Sequence, residues 1–578
     1  MKDISLPHTD QKGSGVHVPA RGSSRFANKA SNKIFLEGER KQMVQGSRDR
    51  VFVTAIVFVC CFVVLGLRLV DLTVFKSAEA TQARAYVRDE SIDRAEITDR
   101  NGDVLATNLA VPSVFADSRE IWDVQETATK LKGVFPELDV ARLTKRLSCG
   151  SAFVWIKRDI TPKQQQEVHR LGLPGVGFRM ASQRVYPNGS VAAHVLGYVD
   201  VDNRGIAGIE KTMDDALQDL AHDSQSLKLS LDLRAQHAMT DELVQAMDRF
   251  KAKAAAGLVM DVHTGEILSM VSLPDFDPNL IGQSDGDQRF NRATLGTYEM
   301  GSTFKTFTVA MALDSGFATM NTRFDATTPI RVGRFSIRDY HAENRWLSLS
   351  EVFLHSSNIG SAKIATKMGA EAQQQFLRKL GLLSRAPVEL PEVGAPLYPD
   401  RWGEISTMTI SFGHGIAVSP VQLAAATSSL VNGGTIVKPT ILKRSFKSNS
   451  KGRRIVSKKT SQQVRTLLRD VVQNGTGGKA EVAYYDVGGK TGTAEKPGKS
   501  GYKRKALLSS FLGAFPMNDP KYVVFVMLDE PQGTKETYGY ATGGWTAAPT
   551  VANVIKRLGF LFPMDPVTKE GKTVLASF

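Results

Sequence analysis

Residues 51–67 read VFVTAIVFVCCFVVLGL, an apolar run with no charge and no proline, and no other feature constrains the fold as strongly. Extended through Arg68, Leu69 and Val70 it reaches about 20 residues, or roughly 30 Å as a helix, enough to span a bilayer if Arg68 snorkels to the interface. A core helix would be apolar on one face, whereas this run is apolar on all of them and adjoins a polar tail. A cleaved signal peptide fits poorly, because the preceding region is too long and the run exceeds the usual ~7–15 apolar residues. The expectation is an uncleaved single-pass anchor at 51–70. The basic flank, with Arg40, Lys41, Arg48 and Arg50, keeps residues 1–50 in the cytoplasm and exports the chain beyond the anchor. That tail, rich in Gly, Ser, Asn, Lys and Arg without sustained periodicity, is expected to be disordered.

Export then decides how the charge is read. Lys+Arg 73 against Asp+Glu 59 gives a formal net charge of +14, which alone would suit nucleic acid as well as an anionic envelope. An exported domain meets anionic lipid and wall polymer, so no nucleic-acid partner is expected. The 578 residues, 42% hydrophobic, allow two to four globular domains. Of the three cysteines, Cys60 and Cys61 are adjacent within the apolar run, leaving Cys149 without an obvious partner. Neither a disulfide scaffold nor a Cys-rich metal site fits that spacing, and no His-Glu-x-x-His pair is present.

Behind the anchor, residues 71–225 mix short strand-like runs with turns, such as EITDRNGDVLATN, where Asn101-Gly102 marks a hairpin. From residue 226 the texture changes. KLSLDLRAQHAMTDELVQAMDRF reads as a strand and an amphipathic helix, and Ala256–Pro274 as a hairpin turning at His263-Thr264-Gly265. Ser509–Pro516 pairs with Lys521–Pro531 across Asn518-Asp519-Pro520, and TAAPTVANVIKRLGFLF closes the domain as a helix. The pattern predicts an α+β chain: a single transmembrane helix, an elongated α/β pedestal over 71–225, and over 226–563 an antiparallel sheet flanked by helices, then a tail at 564–578.

Three short elements carry the chemistry. Ser-x-x-Lys occurs at Ser302/Lys305, Ser448/Lys451 and Ser500/Lys503, but only Ser302 opens an apolar helical run, STFKTFTVAMALDSG. There the i,i+3 spacing puts the amine on the face of the hydroxyl, near a helix N-terminus that favours developing negative charge. A serine needs a base, and a lysine serves as one only if its pKa falls from about 10.4 to roughly 7–8, through burial or a neighbouring cation. Ser356-Ser357-Asn358 sits on a polar turn after SLSEVFLHS, where a hydroxyl and an amide two residues apart can face one cleft. Lys490-Thr491-Gly492-Thr493 lies on a plausible edge strand; its glycine permits close approach of a ligand backbone, and the lysine with two hydroxyls offers a carboxylate-binding surface. Taken singly, each element is most often structural, such Ser/Asn turns being ordinary helix caps; the order of all three is what signifies.

Together the three match the penicillin-binding and β-lactamase signature. The stretches NRATLGTYEMGSTFK, SFGHGIAVSPVQLAAA and VGGKTGTAEK resemble class B penicillin-binding proteins, most of all the division-specific branch. So do Arg94 with Asp99-Arg100-Asn101-Gly102, Arg184 with Tyr186-Pro187 and His194, and Gly205, Gly208 and Glu210. The resemblance covers about residues 50–560, with two departures: Ala95 where the family usually has Gly, and Met300 where it usually has Pro.

The resemblance implies a penicillin-binding transpeptidase domain, a dimerisation-type pedestal and D,D-transpeptidation of peptidoglycan. On that model Ser302 is the nucleophile, Lys305 the base, and Ser356 with Lys490 the route of the proton to the leaving D-Ala. Asn358, Thr491, Gly492 and Thr493 bind substrate, with the backbone N–H groups of Ser302 and Thr493 as oxyanion hole. No cofactor or metal is implied. The implied partners are peptidoglycan stem peptides, β-lactams as inhibitors, a membrane-embedded SEDS-type glycan polymerase and other division proteins, with the chain in the bacterial inner membrane at the septum and its catalytic domain in the periplasm. The alternatives are an elongation-specific class B transpeptidase and a non-catalytic β-lactam sensor or division scaffold. A β-lactamase is disfavoured, because no class A-like Glu-x-x-Leu-Asn is present.

Overall fold

The computed structural model describes residues 55–67, 94–333, 335–444, 452–498 and 501–562. Residues 1–50 and 564–578, and positions 51–54 and 68–70 of the expected anchor, lie outside the described residues. Residues 55–67 form a helix with exposed apolar side chains, but among the described residues no helix is long and apolar enough to cross a membrane.

The leading part of the described body is built on a five-stranded mixed sheet. Strands β1 (Ile97–Thr98), β2 (Val104–Ala116), β3 (Val154–Lys157), β4 (Val176–Val185) and β5 (Leu227–Lys228) pair so that β2 is flanked by β1, β3 and β4, while β5 runs parallel to β1. The predicted hairpin joins β1 to β2. Asp99 Oδ1 accepts from the N–H groups of Asn101, Gly102 and Asp103, and Gly102 takes φ +104°, as an Asx-type turn requires. The same carboxylate accepts from Leu233 N–H at 3.1 Å, tying the turn to the helix that opens the next domain.

The family-like residues of this region converge on a buried ion cluster. Arg94 and Arg184 both donate to Glu210, Arg184 Nε at 2.7 Å, and all three side chains are excluded from solvent. Arg94 also reaches Asp214. Ala95 is accommodated at 4% exposure, its carbonyl accepting from Arg184 at 2.8 Å.

The larger domain surrounds an antiparallel sheet ordered β12 (Gly488–Gly498), β13 (Gly501–Phe515), β14 (Tyr522–Asp529), β6 (Ala254–Asp261), β7 (Ile267–Leu273). Its central strands are buried on both faces, which is why they read as unbroken apolar runs. Successive residues go to opposite cores: Leu258, Met260, Phe525 and Met527 to one, Val259, Val524, Val526 and Leu528 to the other. The second core is covered by the helices Leu233–Phe250 and Ala547–Leu561, the first by Lys305–Asp314, Pro420–Val431 and Lys458–Asn474. Both expected hairpins are present, and Lys490 falls on β12, an edge strand as predicted. Two small two-stranded sheets, β8 (Arg323–Asp325) with β11 (Trp346–Ser348) and β9 (Ile330–Val332) with β10 (Phe335–Ile337), lie between the helix Lys305–Asp314 and the Ser356 turn in sequence.

Candidate active site

Ser302 sits on a 3₁₀ turn, Gly301–Phe304, and Lys305 begins the α-helix that continues it. With three residues per turn, a 3₁₀ segment stacks i and i+3 directly, bringing Lys305 Nζ to 3.1 Å from Ser302 Oγ. The turn is wedged against the edge strand. Gly301 has φ +53°, and a Cβ there would lie 2.7 Å from the carbonyl oxygen of Thr493, so no other residue fits. Gly492 is equally confined, because a Cβ would lie 2.4 Å from Ser510 Oγ and 2.7 Å from the Met300 carbonyl. Gly492 thus admits the protein's own nucleophile turn, a packing role that the sequence reading did not include. Met300 is buried beside it at 1% exposure.

The second element lies between the helices Leu349–Leu354 and Asn358–Met368, where Ser356 takes φ +57° to break one helix from the next. Ser357 caps the second helix, accepting from Gly360 N–H at 2.9 Å. Sequence reasoning missed what holds this turn. Asp339, in the segment after β10, accepts from Ser357 Oγ at 2.7 Å and from Ile359 N–H at 2.9 Å, while the neighbouring Arg338 carbonyl accepts from Asn358 Nδ2 at 2.9 Å. No local pattern marks Asp339, which lies 18 residues before its partner Ser357.

Lys305 and Lys490 are 1% and 0% exposed, and the Ser356 hydroxyl stands 3.0 Å from each amine. Lys305 Nζ also contacts the Ser356 carbonyl, and Asn358 Oδ1 at 2.7 Å. A neutral amine has two N–H donors and one lone pair. Donation to the Ser356 carbonyl and Asn358 Oδ1 leaves the lone pair for the Ser302 hydroxyl, the state needed to remove its proton. Burial, then the adjacent Lys490 cation, holds Lys305 well below its ordinary pKa, against the opposing pull of Asp339; burial lowers Lys490 to about 7. The 5.8 Å approach of Lys490 Nζ to the Phe353 ring returns part of what desolvation removes.

The remaining expected site residues are placed less uniformly. Thr491 Oγ1 is 2.8 Å from Thr476 Oγ1 and 3.5 Å from Lys490 Nζ, so Thr476 joins this wall without having been foreseen. Thr493 Oγ1 accepts from Gly543 N–H at 3.1 Å. Asn358, expected to hold a substrate amide, here has its oxygen on Lys305 and its nitrogen on the Arg338 carbonyl. The stretch from Ser411 packs behind the nucleophile helix, with Thr308 Oγ1 donating to the Ser411 carbonyl at 2.8 Å. The rival pair Ser448/Lys451 and the rival Ser500 lie outside the described residues. Among the described residues no cluster of His, Cys, Asp and Glu could hold a metal ion.

Comparison with known proteins identifies the family of the chain. Residues 255–556 match the family model described as penicillin binding protein transpeptidase domain, and residues 90–226 that of the penicillin-binding protein dimerisation domain. The chain is 41% identical over 522 residues to a probable peptidoglycan D,D-transpeptidase FtsI of Caulobacter vibrioides, covering 89% of this chain and 88% of that one. It is 30% identical over 500 residues to the peptidoglycan D,D-transpeptidase FtsI of Escherichia coli, covering 81% and 84%. Among solved structures, penicillin binding protein 3 of Mycobacterium tuberculosis complexed with aztreonam superimposes with a TM-score of 0.64 at 25% identity, covering 82% of this chain and 97% of that one. A dimerisation domain followed by a transpeptidase domain, in a chain similar to these relatives over most of their length, means that this protein belongs to the class B penicillin-binding proteins.

Proposed function

We propose that this protein is a serine-type peptidoglycan D,D-transpeptidase that cross-links stem peptides during septal wall synthesis. The relatives named peptidoglycan D,D-transpeptidase FtsI support the reaction and the division role. The observation that carries the mechanism is the unbroken chain Ser302 Oγ, Lys305 Nζ, Ser356 Oγ, Lys490 Nζ, with steps of 3.1, 3.0 and 3.0 Å. Ser302 Oγ attacks the carbonyl between the two terminal D-alanines as Lys305 takes its proton. The backbone N–H groups of Ser302 and Thr493 receive the oxyanion, a contribution of about 3–4 kcal/mol per donor in comparable sites. Breakdown splits the C–N bond, and the proton passes through Ser356 and Lys490 to the departing D-Ala amine. An amine of a neighbouring stem then attacks the ester, forming the cross-link and restoring the Ser302 hydroxyl. Lys490, Thr491 and Thr493 hold the substrate carboxylate, with Gly492 keeping that strand against the nucleophile turn. Asn358 orients Lys305 and the substrate amide. β-Lactams acylate the same serine.

On this reading residues 51–70 anchor the chain in the inner membrane with residues 1–50 in the cytoplasm. The catalytic domain then lies in the periplasm at the septum, beside a membrane-embedded SEDS-type glycan polymerase and other division proteins. The test is labelling by a fluorescent penicillin. Ser302→Ala abolishes it while Ser448→Ala and Ser500→Ala retain it; label persisting in Ser302→Ala refutes the site. A tagged chain gathers at the septum, and uniform side-wall distribution assigns it instead to elongation.

A further inference from the structure

Outside the catalytic cleft, a cavity of about 390 Å³ opens between β8, β9, β11 and the later turns of the helix Asn358–Met368. Its walls are apolar where they are deepest, Phe324, Ile330 and Met408, with Trp346 half-exposed at the side. Its charges are Arg323, Lys363 and Lys367 against Asp325 alone. Lys363 is paired with Asp325 at 3.1 Å, whereas neither Arg323 nor Lys367 forms an ion pair among the described residues. Arg323 donates to the Trp346 carbonyl at 3.2 Å and Lys367 rests over the Phe324 ring at 5.9 Å. Thr366 Oγ1, in the same wall, is buried and makes no hydrogen bond among the described residues.

These features select a ligand class. Concavities of roughly 300–1,000 Å³ take small molecules, whereas a stable protein partner needs about 800 Å² from each side. A bare inorganic anion would leave the aromatic wall uncovered, and a neutral apolar molecule would leave two cations unused. A peptide of two or three residues with an apolar side chain and free carboxylates satisfies all of them.

The cavity also shares a helix with the catalytic turn. Lys363, Thr366 and Lys367 lie on the helix whose first residue is Asn358. Ile330 pairs with Ile337, two residues before Asp339, which holds Ser357 and Ile359. A ligand in the cavity therefore touches the helix that begins at Asn358 and, through Ile330, the strand paired with the one that leads to Asp339.

We propose that this cavity is an effector site for a short carboxylate-bearing peptide, of the kind an uncross-linked stem presents, and that its occupancy speeds acylation of Ser302. The stem as natural source rests on the transpeptidase reading; the ligand chemistry does not. The test uses the full-length chain in detergent, its Ser302 blocked with benzylpenicillin so that only a second site can bind. Calorimetric titration with N-acetyl-Leu-Glu gives saturable binding, weakened at least tenfold for the diamide and for the pair Arg323→Glu with Lys367→Glu. With Ser302 free, the dicarboxylate raises the rate of acylation by a fluorescent penicillin on the order of fivefold. The paired variant keeps the unstimulated rate and loses the rise, and a stem tripeptide without terminal D-Ala-D-Ala reproduces both effects. Absence of binding to the blocked protein, or equal binding by the diamide, overturns the site. Binding without a change in rate overturns the effector role, and inert stem tripeptide overturns the proposed source. If penicillin fails to label Ser302 at all, the transpeptidase reading falls, while titration of the untreated chain still decides the cavity.

Discussion

Asp339 is the residue whose replacement separates geometry from charge in this active site. Its carboxylate receives the Ser357 hydroxyl at 2.7 Å and the Ile359 N–H at 2.9 Å, and its charge opposes the lowering of the Lys305 pKa. Asp339→Ala removes both hydrogen bonds, one of which caps a helix. At about 1 kcal/mol for the capped Ile359 N–H and about 1.5–3 for the Ser357 hydroxyl bond to a charged group, roughly 2.5–4 kcal/mol is lost from the turn. That turn holds Ser356, at φ +57°, 3.0 Å from both lysines, and a displacement of about 1 Å costs on the order of 10²-fold in rate. Acylation in Asp339→Ala is therefore slower by about 10–100-fold on the plateau of the pH profile, where Lys305 is neutral in both proteins.

Asp339→Asn keeps the shape and an oxygen that accepts from Ile359 N–H, turns the Ser357 contact into one donated by the amide nitrogen, and removes the charge. The anion favours protonated Lys305, so its loss leaves the amine neutral down to lower pH. The groups facing Lys305 are Lys490 on β12, Asp339 in the segment after β10 and His414 behind the nucleophile helix. Only Asp339 changes in this variant, so the acid limb of the acylation profile shifts toward lower pH. The assay is stopped-flow acylation by a chromogenic cephalosporin from pH 5 to 9. An acid limb that stays in place or moves to higher pH in Asp339→Asn refutes the argument, as does an Asp339→Ala rate within twofold of wild type.

Three further expectations rest on the same structure. Glu210→Gln leaves the solvent-excluded guanidiniums of Arg94 and Arg184 facing a neutral amide, and lowers stability by about 3–5 kcal/mol, read as a fall in the denaturant midpoint. His194, whose Nε2 lies 2.7 Å from the Gln288 carbonyl, is pushed by burial to about 4 against an ordinary 6.5. Folding therefore favours its neutral form: the stability it contributes is full above pH 6.5 and falls by about 3 kcal/mol as pH drops to 4, a loss that His194→Gln abolishes in melting curves. Gly492→Ala pushes β12 away from the nucleophile turn and reduces acylation at least tenfold with the fold retained by circular dichroism, because its Cβ would stand 2.7 Å from the Met300 carbonyl.

The chemistry-bearing residues were legible in the linear chain because each sits in a local context that its own neighbours create. Ser302 and Lys305 are one turn apart, Ser356 and Asn358 share a helix junction, and Lys490 lies in a strand whose central partners alternate between two cores. Apolar periodicity and turn residues are short-range properties, so they survive without a fold. What only the tertiary structure decided is every relation across long separations. The water-excluded setting that lowers both lysines arises because an edge strand, a helix junction and a 3₁₀ turn meet, and no single segment contains it. Asp339 and Thr476 enter the site through contacts that have no signature of their own, and the packing of Gly492 between two catalytic segments is visible only in the fold. Sequence specifies which groups can react; desolvation and mutual distance, which make a lysine a base, are properties of the folded chain alone.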